Sequence, residues 1–133
     1  MNTRTRSRLL LAASATLLGA CAGSMYSQPY VEFVAEQRSP TQDTRPAFVM
    51  RVDGQTVTMG RDEAFSPGVH KVEVSIPGPP GMSSPDRDEI EVDAKPCTRY
   101  YFAAKRSSRT ARDWEAFVAA AEPMGECKKK FGM

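Results

Sequence analysis

The side chains able to do chemistry in this 133-residue chain are few: three cysteines, one histidine and two blocks of charge. His70 is the only histidine. A histidine base needs a nucleophile and an orienting partner within reach, and no such set is signalled around it. At the start of an alternating apolar segment it reads as a packed or hydrogen-bonding residue. Asp86, Asp88, Glu89, Glu91 and Asp93 bring five carboxylates together. An EF-hand calcium loop needs Gly at its sixth position and Glu at its twelfth. Counted from Asp86, those positions are Glu91 and Cys97, so the pattern fails. At strand spacing the carboxylates read instead as a solvated face that discourages edge pairing. Cys21, Cys97 and Cys127 show no CxxC spacing, and no histidine cluster accompanies them. Neither a metal site nor a thioredoxin-like centre is indicated, and no cofactor is expected. Lys95, Arg99, Lys105, Arg106, Arg109 and Arg112 follow one another without an intervening acid. Two accounts are open: charge complementarity with the acidic strand just before them, or a basic patch for an anionic lipid or acidic partner.

The first cysteine has a distinct setting. Arg4, Arg6 and Arg8 are followed by an apolar run from Leu9 to Leu18 and then by small residues. That is the layout of an export signal, and the run is shorter than the roughly 20 residues of a spanning helix. Leu17-Leu18-Gly19-Ala20-Cys21 resembles the lipobox of bacterial lipoproteins. The resemblance implies that residues 1–20 are removed and that Cys21 carries the acyl chains; two or more are needed for stable anchoring. Ala22 follows, with no acidic residue nearby. By resemblance to Gram-negative lipoproteins this implies the periplasmic face of the cell outer membrane rather than the inner membrane.

Charge and cysteine count are then read for the mature chain. Without the three N-terminal arginines, the 18 basic residues become 15, against 16 acidic ones, so the formal charge of +2 becomes −1. A nucleic-acid partner is not indicated, because its electrostatic footprint is a strongly basic domain. The 113 residues that remain suffice for one core and not for two. With Cys21 lipidated, Cys97 and Cys127 remain as an even pair in an oxidising compartment, and a disulfide between them is expected; two buried thiols are the competing reading.

The elements that must position these residues are mostly strands. Residues 21–29 are small and polar and read as a tether to the anchor. Tyr30 to Ala35 is a first strand and residues 37–46 a loop. Phe48–Val52 and Gln55–Met59 flank Asp53-Gly54, the signature of a two-residue hairpin turn with positive φ at both positions, and Phe48, Met50 and Val52 are expected on one face. Val72, Val74 and Ile76 alternate with polar residues, as do Ile90, Val92 and Ala94. Between these two strands, residues 77–85 hold four prolines and two glycines and form a stiff loop of the kind that can serve in docking. Cys97 to Ala104 is an aromatic-rich strand and residues 105–112 a basic loop. Trp114, Phe117, Val118 and Ala121 have helical spacing, although a strand there would bring Cys127 back beside Cys97. Residues 128–133 read as a basic tail.

Two segments carry a wider resemblance. Phe65-Ser66-Pro67-Gly68-Val69-His70-Lys71-Val72-Glu73-Val74 resembles the start of a strand in PEGA-like and transthyretin-like modules. Lys95 to Phe102, taken with Asp113-Trp114-Glu115 and Glu122 to Cys127, is similar to the C-terminal half of small proteobacterial lipoproteins closed by a second cysteine. The resemblance implies an all-β fold, a single immunoglobulin-like or transthyretin-like antiparallel β-sandwich over residues 30–127, with 114–122 as its last strand. It implies no enzymatic activity. The expectation is a structural or accessory subunit of an envelope assembly, held at the membrane through Cys21, with a protein partner. The alternative is a binding module for a glycan, a peptidoglycan fragment or a small ligand. Arg99, Lys105, Arg106, Arg109 and Trp114 form the candidate binding surface, with Tyr100 and Tyr101 as further aromatics.

Overall fold

The computed structural model describes residues 26–38, 40–58, 63–78, 81 and 84–133. Cys21, the expected signal segment, the first part of the expected tether and much of the proline loop lie outside the described residues. The described chain forms β1 (Val31–Ala35), β2 (Thr44–Pro46), β3 (Phe48–Val52), β4 (Gln55–Thr56), β5 (Ala64–Phe65), β6 (Gly68–Ile76), β7 (Asp86–Ala94), β8 (Thr98–Lys105), β9 (Glu115–Pro123) and one short helix, α1 (Gly125–Phe131). The fold is all-β, in two sheets.

One sheet is wholly antiparallel, in the order β4-β3-β6-β7. β6 and β7 pair along nine residues, from Gly68 opposite Ala94 to Ile76 opposite Asp86. The alternation seen in the sequence is therefore real: Val72, Val74 and Ile76 of β6 and Val92 and Ala94 of β7 are buried. β7 is the edge, and its charged alternate positions face solvent, where they block further strand addition. The Asp53-Gly54 turn has φ of 50° and 79°, as the hairpin signature requires.

The second sheet is built around β8. Along one edge β8 pairs antiparallel with β9. Along the other it pairs first with β1, in parallel from Thr98 to Phe102, and then with β2, antiparallel from Ala103 to Lys105. β5 extends the sheet beyond β1. One apolar cluster draws on both sheets. Val31, Phe33, Tyr100, Phe102, Ala104 and Ala116 come from the β8 sheet, and Val49, Val52, Val72, Val74, Ile76, Val92 and Ala94 from the other. Phe102, fully buried at the middle of β8, sits edge-on to Phe33 at 5.9 Å.

Two bulges correct the expected faces. The β3–β6 register shifts between Val49 and Arg51. An extra residue reverses the parity of a strand, so Val49 and Val52 are buried together while Phe48 is 41% exposed; Phe48, Met50 and Val52 do not share the inner face. In β9 the register shifts opposite Tyr101 and Phe102, where Ala120 and Val118 are the partners and Ala119 is the extra residue. That insertion puts Val118 and Ala121, three residues apart as in a helix, opposite Phe102 and Tyr100 on one face of a strand.

β2 lies inside the stretch expected to be a loop. Its three residues pair with the end of β8, and apart from a bridge of Thr44 to Thr41 nothing local marks them. The tail beyond Cys127 is also not a tail. Residues 125–131 are helical, with Glu126 in the first turn, three lysines in the last and Gly132 closing the end at φ 67°, an arrangement that suits the helix dipole and a left-handed cap. A seven-residue helix is marginal alone. This one is fastened by the Cys97–Cys127 disulfide, with Cα atoms 5.3 Å apart.

Candidate functional site

β8 carries the candidate residues to opposite ends of the molecule. Arg99 stands near its start, whereas Lys105 and Arg106 stand at its finish. Six strand steps separate Arg99 from Lys105, roughly 20 Å. The proposed surface is thus two places, each with its own open cavity.

The first, of about 260 Å³, is lined by Tyr30, Glu32, Arg99, Tyr101 and the corner from Glu122 to Glu126. Register explains the set. Glu32 lies opposite Arg99 on β1, and Glu122 lies opposite Arg99 on β9. Arg99 Nε donates to Glu32 Oε2 at 2.5 Å, and Glu32 is only 8% exposed. The Glu32 bond holds the Arg99 guanidinium well above its ordinary pKa. Beside it, Arg38 lies 4.1 Å over the Tyr101 ring. Its Nη2 donates to Glu36 Oε2 at 2.7 Å and its Nη1 to Glu122 Oε1 at 2.6 Å. Those hydrogen bonds push both carboxyls below the ordinary carboxylate value. Tyr101 lines the same cavity as Arg99 and Glu122 and lies under Arg38, beside both ion pairs. Sequence reading missed Arg38, Glu32 and Glu122, because nothing local marks partners 67 and 84 residues apart.

The second cavity, of about 460 Å³, is lined by Lys105, Arg106, Ser107, Asp113, Trp114 and Glu115, where β8 turns into β9. The Arg106 guanidinium lies 5.0 Å from the centre of the Trp114 ring. Its Nε donates to Asp43 Oδ1 at 2.9 Å and its Nη2 to the Gln42 carbonyl at 3.1 Å. Lys105 lies over Phe117. Arg109 reaches the Gln42 side chain and does not line this cavity. An indole with flanking charged and hydroxyl groups offers a stacking face and hydrogen bonds to one ligand.

The structure corrects two expectations. Most of the basic residues do not meet the acidic strand β7, which belongs to the other sheet: Lys95 pairs with Asp93 of β7 at 2.6 Å, whereas Arg99 pairs with β1 and Arg106 with the turn before β2. Nor do Tyr100, Tyr101 and Trp114 meet. Tyr100 is buried beside Phe33, and its hydroxyl accepts the Lys95 amide at 2.8 Å. Tyr101 lies under Arg38 at the first cavity, and Trp114 at the second.

His70 is a structural tie. Nδ1 is 2.6 Å from Asp53 Oδ2 and Nε2 is 2.6 Å from the Ser66 carbonyl. Asp53 Oδ1 also accepts the Lys71 amide at 2.9 Å. That amide first, and His70 second, hold the Asp53 carboxyl below its ordinary pKa. One ring nitrogen thereby clasps the hairpin turn at Asp53, and the other the link between β5 and β6 at Ser66. Among the described residues no group of three or more His, Cys, Asp or Glu side chains is placed to hold a metal ion. No protein-family model, curated protein or solved structure matches the chain.

Proposed function

We propose that the chain is a non-enzymatic lipoprotein, anchored through Cys21 to the periplasmic face of the outer membrane, whose single domain serves as a structural or accessory subunit of an envelope assembly. The two sheets facing one core support an immunoglobulin-like or transthyretin-like sandwich as the finer description of the fold. The observation that carries the reading is the Cys97–Cys127 bond. It accounts for two of three cysteines and leaves over the one that follows Leu-Leu-Gly-Ala. Disulfides persist in oxidising compartments, which agrees with export. His70, with both ring nitrogens taken, supports a non-catalytic role. Lipid anchoring confines the domain to a surface and raises its effective concentration toward a membrane partner.

The test is made in the native cells. Labelled palmitate should enter the protein and be lost in Cys21→Ser. Crosslinking followed by mass spectrometry should recover a stoichiometric partner from the anchored form only. Unlabelled protein, or the same bystanders from both forms, would remove the reading.

The Trp114 cavity favours a second reading, a binding module for a glycan or peptidoglycan fragment. Trp114 is the sole tryptophan, so its emission reports the cavity directly. A saturable shift on titration with such fragments would raise this reading above the first.

A further inference from the structure

The end of the domain that carries α1 is also the end from which the chain leaves toward Cys21. Lys130 Nζ donates to the Tyr26 carbonyl at 2.5 Å, and the Tyr26 ring packs against Tyr30 at 4.8 Å. The described end of the tether is therefore docked beside the helix. Four residues lie between Cys21 and Tyr26, so the span of five Cα steps reaches at most about 18 Å. The Trp114 end lies a full β8 strand away, roughly 23 Å farther. Charge follows the same polarity. Lys128, Lys129 and Lys130 crowd the last turn of α1 against the single acid Glu126. Cys127 is turned into the core, which places Lys129 on the opposite side of the helix. Among the described residues Lys128 and Lys129 form no ion pair. The neighbouring acids Glu122 and Glu32 are occupied by Arg38 and Arg99.

We infer that α1 is a second membrane contact: Lys128 and Lys129 lie against anionic phospholipid headgroups of the leaflet that holds Cys21, and the Trp114 cavity faces away from it. This rests on the lipid-anchor reading. Without the anchor, a few lysines on one turn would give only weak, salt-screened attraction. With it, the leaflet is already within reach, and the lysines orient the domain rather than recruit it. Each lysine close to an anionic surface favours contact about fivefold.

The lipidated mature protein is reconstituted in vesicles of phosphatidylethanolamine and phosphatidylglycerol that contain a headgroup-region spin-label quencher. Met133, 59% exposed, is the probe position: Met133→Trp is made in a Trp114→Phe background, and wild-type Trp114 reports the far end. The indole at position 133 should be quenched and Trp114 should not. Replacing the vesicle lipid with phosphatidylcholine, or adding Lys128→Glu with Lys129→Glu, should lower the ratio of contacting to free orientations by an order of magnitude or more. Equal quenching at both ends, or quenching at 133 indifferent to lipid charge, would overturn the inference while the protein still floats with the vesicles. A mature chain whose N-terminal peptide carries no lipid would remove the anchor reading and this inference with it.

Discussion

The two ends of β8 solve the same problem differently. At the start of the strand, Arg99 meets a nearly buried glutamate, and beside it a second arginine covers Tyr101 and holds two more carboxylates. The corner beside it is closed by a disulfide and a helix. At the finish, Arg106 meets only the side chain of Asp43 and a carbonyl, leans on an indole, and borders a larger open cavity. The first end is crosslinked and satisfied, which suits a fixed attachment. The second keeps an aromatic face and polar groups toward solvent, which suits recognition. Register alone separates them: β1 flanks the start of β8, and only the three residues of β2 flank its end.

The two ends differ most in their dependence on the disulfide. Its 30-residue loop corresponds to about 3.5 kcal/mol. Cys97→Ser with Cys127→Ser should lower the melting temperature by on the order of 15 °C and melt α1, as seen by circular dichroism. Trp114 emission in the folded variant should stay unchanged, since the far end does not use the bond.

Next are the ion pairs. Glu32→Gln leaves Arg99 beside a neutral partner in a half-buried setting. Arg99 keeps 40% of its side-chain surface exposed, so the cost is discounted to about 1–2 kcal/mol. Asp43→Asn at the other end should cost less than about 1 kcal/mol. Urea denaturation of both variants checks the order, and a larger loss for Asp43→Asn would refute the contrast.

Acid sharpens it further. Glu36 and Glu122 are held below the ordinary value of 4.5 and Asp53 below 3.8. A carboxyl lowered in the folded state stabilises above its unfolded pKa and loses that contribution as pH falls through the folded one. Stability should therefore drop from about pH 4.5 downward. Arg38→Met removes the cause for Glu36 and Glu122, so its stability should fall less steeply across that range than the wild type's. Melting curves between about pH 3 and 6 would show the two slopes converge or not.

The smallest effect belongs to Arg106→Ala, where an exposed cation–π contact contributes about 0.5–1 kcal/mol. Its sharper readout is spectral: Trp114 emission should shift to the red as the indole loses its cover. An unchanged spectrum would mean that the guanidinium does not cover the ring.

Much of the fold is legible locally. The alternation of Val72, Val74 and Ile76, the Asp53-Gly54 turn and the carboxylate-edged β7 all follow from neighbours in the chain, because a half-buried strand has period two and a tight turn demands particular φ values. The misreadings have one cause. The bulges at Met50 and Ala119 shift parity in response to partner strands. β2 depends on its pairing with β8, and α1 is too short to declare itself without its disulfide. The candidate site was half legible. Lys105, Arg106 and Trp114 converge because the β8–β9 hairpin is local, whereas the Glu32 and Arg38 partners of the other end are joined by a parallel pairing that no turn announces.

The inventory is therefore written along the chain: which segments extend, where they turn, and a cysteine count in which two can pair. Allocation comes from the packing of the strands. Placing β8 between β1, β2 and β9 assigned one basic residue to a crosslinked corner and two to an open cavity. It did so because sheet register couples residues by distance in space, and a pairing across 67 positions leaves no periodic trace in the chain.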